Sequence, residues 1–504
     1  MALRGASLLL VALACGACSV GPKYRRPAVT APAAFKEQPP KESDQWKAAH
    51  PNDGELRGNW WEMFGDARLN ELEPKVAASN QNVKQAEAQF AQARALVSLN
   101  RANYYPVIGT SPSITTSESP SRGGVINSSG GVASNRSGTA TVFNLPFQAS
   151  WEPDLWGRVR LSVENAVTSA QASAAQIENM RLSMQAELAA DYFLLRATDM
   201  EIALYSTTIS DYERALRLTI NRFNGGVASK ADVLQAQTQL SSARAQSTDL
   251  LVSRAQYEHA IAVLTGQAPA ALAIDPGGIQ GAPPPVPSAL PSHLLERRPD
   301  IATAERRVAA ANAEIGLAQT AYYPTLTLGV TGGLSATNVV DWFSWPSRLW
   351  SVGPALSQTL FDFGRRRAQV QETEAFYDSQ VAAYRQTVLG AFQEVEDNLA
   401  ALRILEAEAA QQQETVTSAQ QAVQLELERY KAGTVSFLDV ITTQTITLIN
   451  QRAAVAILRN RMTATVQLVR AMGGGWNAST LPSANDLRTG ASADPSKVAQ
   501  PPRP

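Results

Sequence analysis

Few side chains in this sequence stand where they could do chemistry, and the most specific of them is a thiol. Arg4 gives a short basic start, Leu8-Leu9-Leu10-Val11-Ala12-Leu13-Ala14 is an apolar run, and small residues lead from it to Cys18. Charge, apolar run and small residues in that order are the pattern of a cleaved export leader, too short to span a bilayer. Ala17 directly before the cysteine is what a lipoprotein leader presents, so Cys18 is the expected attachment point of a covalent lipid. Cys15 holds the position three before it, where such leaders usually carry Leu. Cleavage before Cys15, or an ordinary leader with incidental cysteines, are the alternatives. Both cysteines lie at this junction, so a mature chain beginning at Cys18 has no internal disulfide. Ser19 is not the Asp that resembles an inner-membrane retention signal, and the outer membrane is the expected destination.

The remaining reactive groups do not converge. His50, His259 and His293 are far apart and share no ligand spacing, and no cysteine is left for a metal. Glu394 and Glu396 lie in a charged helical run and read as a solvated face. Gly473-Gly474-Gly475 closes a helix rather than cradling a phosphate, since no strand precedes it and no Lys follows. Asp232 and Asp439 each follow a glycine-containing turn, where a helix N-terminus favours an acid. The expectation is a protein that is not an enzyme and carries no metal or cofactor beyond the lipid. A formal net charge of −1 supplies no basic field for nucleic acid.

The elements that position these residues are written twice. Ala102-Asn103-Tyr104-Tyr105-Pro106 recurs as Ala321-Tyr322-Tyr323-Pro324 at an offset of 218, and Leu155-Trp156-Gly157-Arg158 is echoed by Asp362-Phe363-Gly364-Arg365 at an offset of 207. The run from Arg222 to Val233 matches the run from Arg429 to Val440, again at 207, so the first copy holds 11 extra residues in its Gly/Ser-rich stretch from Ser121 to Gly138. From Gly157 to Asn224 no proline or internal glycine interrupts a helical composition, and from Gly364 to Lys431 only Gly390 does. Each would be a helix on the order of 100 Å long, more than a compact core needs. Ile441, Leu448, Val455, Met462 and Val469 recur every seven residues, the spacing of helices that supercoil around neighbours.

Between the helices the period changes to two. Phe143, Leu145, Phe147, Ala149 and Trp151 alternate with polar residues and Pro146, as do Leu326, Leu328 and Val330, and then Trp350, Val352, Leu356 and Leu360. The segment after Tyr105 is weaker. Such segments have the length of tilted strands that cross the hydrocarbon. Two pairs make four strands per chain, too few to close a barrel, and lipid tolerates no open sheet edge. The chain must oligomerise, and three chains giving twelve strands around a polar lumen is a fitting size.

Three further runs carry a resemblance: Cys18-Ser19-Val20-Gly21-Pro22-Lys23-Tyr24-Arg25-Arg26-Pro27, Trp60-Trp61-Glu62-Met63-Phe64-Gly65-Asp66, and Leu294-Leu295-Glu296-Arg297-Arg298-Pro299-Asp300-Ile301. With the twofold repeat they make the chain resemble the TolC-like outer-membrane efflux proteins, in the lipoprotein branch that serves RND multidrug pumps. The resemblance implies an α+β membrane protein: long coiled-coil helices forming a periplasmic α-barrel, four short transmembrane strands per chain, and a twelve-stranded β-barrel in a homotrimer. It implies a passive exit duct for small molecules such as drugs, with a periplasmic adaptor and an inner-membrane RND-type pump as partners. At the periplasmic tip it places Asp439 in an aperture ring, Tyr430 as a linking tyrosine and Asp232 as its carboxylate partner, while Thr442 and Val435 depart from the second acidic ring and the linking arginine. Gate and helix cap remain equally open for Asp439 and Asp232.

The expected division is a signal peptide at 1–17, a lipidated segment at 18–66, a first repeat at 67–281, a Pro-rich linker at 282–298, a second repeat at 299–476 and a tail at 477–504. Two alternatives stay within the same fold: an outlet for metal-ion efflux or for type I protein secretion. A non-conducting, lipid-anchored periplasmic coiled-coil scaffold is the alternative of another class.

Overall fold

The computed structural model describes residues 20–32, 34–37, 59–119, 125–126, 132–133, 138–285 and 294–489. Cys15, Cys18, His50, His293 and most of the Gly/Ser-rich stretch lie outside them, as do 286–293 of the Pro-rich linker and 490–504 of the tail. A short 3-10 turn, Trp60–Phe64, leads into α1 (Ala67–Ser79) and α2 (Gln81–Ala102). Strands β1 (Val107–Thr110), β2 (Ser113–Ser119), the two-residue pair β3 (Val125–Ile126) and β4 (Val132–Ala133), and β5 (Gly138–Trp151) follow. Then come α3 (Arg158–Asn224) and α4 (Lys230–Leu264). The second half has α5 (Leu294–Arg297), α6 (Pro299–Thr320), β6 (Thr325–Ala336), β7 (Arg348–Ser357), α7 (Arg365–Lys431), α8 (Phe437–Ala471) and α9 (Ala484–Thr489).

Both long helices, α3 and α7, have 67 residues, and both return helices, α4 and α8, have 35. At 1.5 Å per residue the long ones run about 100 Å. The heptad residues of α8 are buried or half-buried along its length. The offsets hold in the sheet as well, where Val107 pairs with Ser150 and Thr325 with Ser357.

Apart from the β3–β4 pair, which stands by itself, the strands form one antiparallel sheet in the order β1/β2, β5, β6, β7. Two sequence expectations are corrected here. The weak first strand breaks at Ser111 and Pro112, where proline has no amide to give the ladder, and β1 and β2 pair with β5 on either side of the break. The last strand stops at Ser357, so Leu360 lies beyond it. Register brings the apolar alternates together: Ile108, Ala149, Val330 and Val352 stand in one row across four strands, on one face with Phe147, Trp350 and Leu356. Asn144, Gln148, Thr327, Thr331 and Ser351 occupy the other face.

Below the sheet, α2 packs on α3, α3 on α6 and α6 on α7, a row of four helices. Further down, α4 packs on α3, α3 on α8 and α8 on α7, a second row. The main core lies where the rows meet: Trp60, Leu69, Leu72, Leu188, Tyr192, Ile261, Leu294, Ile301, Val388 and Met462 are buried there together. Among the described residues no helix is long and apolar enough to cross a membrane.

Candidate functional site

The sheet is the first part of the site. Its apolar face leaves Phe147, Val330, Trp350, Val352 and Leu356 exposed in the single chain. Its outer edges, β1/β2 and β7, have no partner strand among the described residues. The helical rows repeat this openness: α2 and α4 stand at one outer side and α7 at the other. Leu96 and Leu99 on α2, Leu251 and Val252 on α4, and Phe376, Leu389, Ile404 and Leu425 on α7 are exposed.

At the opposite end the two helical hairpins turn through Gly226 and Gly433, both in the left-handed region that glycine enters without penalty. Asp232 accepts from the Ser229 amide at 2.9 Å, and the Ser229 hydroxyl accepts from the Asp232 amide at 3.1 Å. Asp439 accepts from the Ser436 amide at 3.0 Å and from its hydroxyl at 2.7 Å. Asp439 is exposed and Asp232 half-buried, and both hold a helix N-terminus, the reciprocal cap that Ser and an acid three residues apart make. Tyr430 is buried, and within the chain its hydroxyl faces Thr219 at 3.5 Å rather than Asp232. Asp232 is turned back into its own cap, which is why the two side chains do not meet inside one chain.

What ties one hairpin to the other is a residue that motif reading passed over. Arg222, at the end of α3, lies over the Tyr430 ring at 4.7 Å and donates to the carbonyls of Tyr430 at 2.8 Å and Lys431 at 3.1 Å. A guanidinium on the last carbonyls of α7 satisfies acceptors the helix cannot, and adds a cation–π contact.

The three marker runs also have structural tasks. Gly21, at φ 104°, passes so close to α6 that a Cβ there would stand 2.6 Å from the Gly316 Cα. The Pro22 carbonyl accepts from Asn312, Tyr24 donates to Glu305, and Arg26 reaches Tyr384 on α7. Burial, and then the Glu305 carboxylate, push the Tyr24 phenol above its usual range. The strap continues to Lys36 and Glu37, whose amides donate to Glu396 at 2.7 and 2.9 Å. In the second run Asp66 caps α1 and accepts from the buried Tyr192 at 2.7 Å.

In the third run Arg298 joins three helices. It makes a two-pronged contact with Asp300 at 3.0 and 2.7 Å, reaches Glu394 at 2.9 Å, and donates to the Ala471 carbonyl at 2.9 Å. The glycine triplet allows this approach, since a Cβ on Gly473 would lie 2.1 Å from the Arg297 carbonyl oxygen. The solvated reading of Glu394 and Glu396 is therefore corrected: one holds Arg298 and the other holds the strap. One buried carboxyl has no partner among the described residues. Glu73 is fully buried, neither oxygen finds a hydrogen bond, and burial alone pushes it well above the ordinary carboxylate range. Among the described residues no group of three or more His, Cys, Asp or Glu is placed to hold a metal.

The family model described as outer membrane efflux protein matches twice, over residues 73–267 and 290–474, once in each half. The chain belongs to that family. It is 33% identical to the outer membrane protein OprJ of Pseudomonas aeruginosa over 479 residues, 94% of this chain and 96% of that protein. A probable efflux pump outer membrane protein of Pseudomonas putida, TtgC, is 30% identical over 94% of this chain and 96% of its own length. A solved structure of the outer-membrane channel OprN superposes with a TM-score of 0.81 at 29% identity, covering 91% of this chain and all of that one. The chain is thus an outer-membrane efflux channel protein, a pump component whose long helices and sheet are the family fold.

Proposed function

We propose that three copies of this chain close into a conduit: twelve strands in the outer membrane above a helical tunnel in the periplasm. The observation that carries this is the four-stranded sheet with one apolar face, one polar face and two unpaired edges. Lipid leaves no backbone group at such an edge unpaired, so β7 of one copy must meet β1/β2 of another, and a head-to-tail contact of this kind closes as a ring. The exposed apolar residues of α7 on one side, and of α2 and α4 on the other, support the same contact below the membrane.

The duct has no reaction and no cofactor of its own in this reading. A lipid on Cys18 anchors the strap, a periplasmic adaptor meets the tips, and an inner-membrane RND-type pump supplies energy and chooses the cargo, small molecules such as drugs. The names of relatives support a small-molecule cargo, since one is a toluene efflux pump protein and another a pyoverdine export protein. The aperture assignment adds a ring of Asp439 carboxylates at the tip, with Asp232 and Tyr430 beside it.

Recording from the purified full chain in planar bilayers tests both levels. Trimer-sized particles with cation-preferring conductance are expected, and monomers without conductance refute the conduit. Asp439→Asn keeps an acceptor for the helix cap but removes the charge. Loss of cation preference is expected, whereas an unchanged preference leaves Asp439 a cap alone.

A further inference from the structure

Each half of the chain builds a joint between its second strand and its long helix, and only one of the two joints is closed. In the first half Trp156 stacks on Tyr323 of the second half, with ring centroids 5.0 Å apart and planes at 27°. Its indole N–H donates to the Pro324 carbonyl at 2.7 Å. The equivalence of the halves extends to such contacts: Trp151 donates to the Tyr104 carbonyl at 3.0 Å, and Gln358, 207 residues on, donates to the Tyr322 carbonyl at 3.1 Å. The same offsets carry Trp156 to Phe363 and Tyr323 to Tyr105. These two rings are apart. Phe363 is 92% exposed and Tyr105 67% exposed. The closed joint sits where α3 meets α6, and the counterparts of those helices, α7 and α2, stand at opposite ends of the row. Phe363 and Tyr105 can therefore meet only between two copies.

Phe363 carries a second, independent mark. It is the one non-glycine residue among those described with a positive φ, 53°. A bulky side chain in the left-handed region is strained, and strain of this kind persists where the surroundings hold it. Among the described aromatic rings its one neighbour is Phe361, with centroids 4.5 Å apart, which is itself 74% exposed. The backbone is held within the chain, by the Arg365 amide on the Asp362 carbonyl and the Gly364 amide on the Asp362 carboxylate, both at 3.1 Å, so it is the ring that is left open.

We infer that Phe363 of one copy stacks on Tyr105 of the next, repeating between chains the Trp156–Tyr323 joint within each chain. The inference rests on the ring of copies proposed above and names the residues that close it at the boundary between barrel and helices. Membrane lipid is the competing occupant. It accounts for an exposed ring, but not for the matching open position at Tyr105.

The test uses the full chain in outer membranes with p-benzoyl-phenylalanine at position 363, tagged and untagged copies co-expressed, and the same probe at position 156 as the within-chain control. Irradiation should join 363 to the peptide bearing Tyr105 in a second copy, as 156 joins to the peptide bearing Tyr323 in its own. Adducts at 363 with phospholipid alone, with another peptide, or with nothing overturn the joint. Particle mass, measured on the same sample, separates the two levels: trimers without the 363–105 adduct sink only the joint, and monomers sink the ring as well. Phe363→Gly removes both ring and strain. The trimer's half-life in detergent should then fall about two- to tenfold, the range of one aromatic pair, and a longer half-life would count against the joint.

Discussion

Replacing Arg298 by Met keeps the buried stem and deletes the guanidinium, so the loss can be worked from four contacts. The bond to the Ala471 carbonyl lies in the core, and a charge-assisted bond there contributes about 1.5–3 kcal/mol. The contacts to Asp300 and Glu394 are worth less than a fully buried pair, because those side chains are 27% and 41% exposed and turn to water when Arg298 goes. Asp300 also keeps a favourable place in the first turn of α6. The sum is about 2–4 kcal/mol. Membrane proteins of this size unfold irreversibly, so the operational measure is a rate. If the contacts are absent from the transition state, 2 kcal/mol shortens the half-time of thermal unfolding in detergent roughly thirtyfold. Glu394→Gln keeps an acceptor and should fall between the two. A half-time for Arg298→Met within about twofold of the parent would falsify the claim that this residue joins the three helices.

Gly21→Val puts a branched side chain at a positive φ and against the Gly316 backbone, costing about 2 kcal/mol or more. Tryptic cleavage after Lys23 and Arg25 should speed up roughly thirtyfold while the rest of the chain resists, and an unchanged rate would mean the strap is not seated. Glu73 has a folded-state pKa raised above its unfolded value by burial, so its contribution is fully present below the unfolded pKa and is lost as pH rises toward the folded one. Glu73→Leu should therefore gain about 1–3 kcal/mol near pH 4, where the carboxyl is neutral but has no hydrogen-bond partner, and more at neutral pH, read by melting across that window. Equal gains at both ends contradict the neutral buried acid. Cys18→Ala should abolish incorporation of labelled palmitate, and retained label would move the anchor to Cys15.

The long helices, their turns and most of the strands were legible because each is a local pattern repeated many times over. A helix of 67 residues needs only the absence of breakers, and a membrane strand only its period of two, so α3, α7, β5 and β6 stand where composition put them. The repeat strengthened each reading by stating it twice. Pairing was not legible. Arg298 with Glu394, Glu396 with the amides of Lys36 and Glu37, and Arg222 with the carbonyl of Tyr430 join residues 96 to 360 positions apart. Which charged side chain on a long helix is solvated and which is held depends on what surface arrives opposite it. Periodicity reports the face a residue occupies, whereas the partner on that face is decided only when the helices cross, and the structure alone turned Glu394 and Glu396 from a solvated pair into two separate ties.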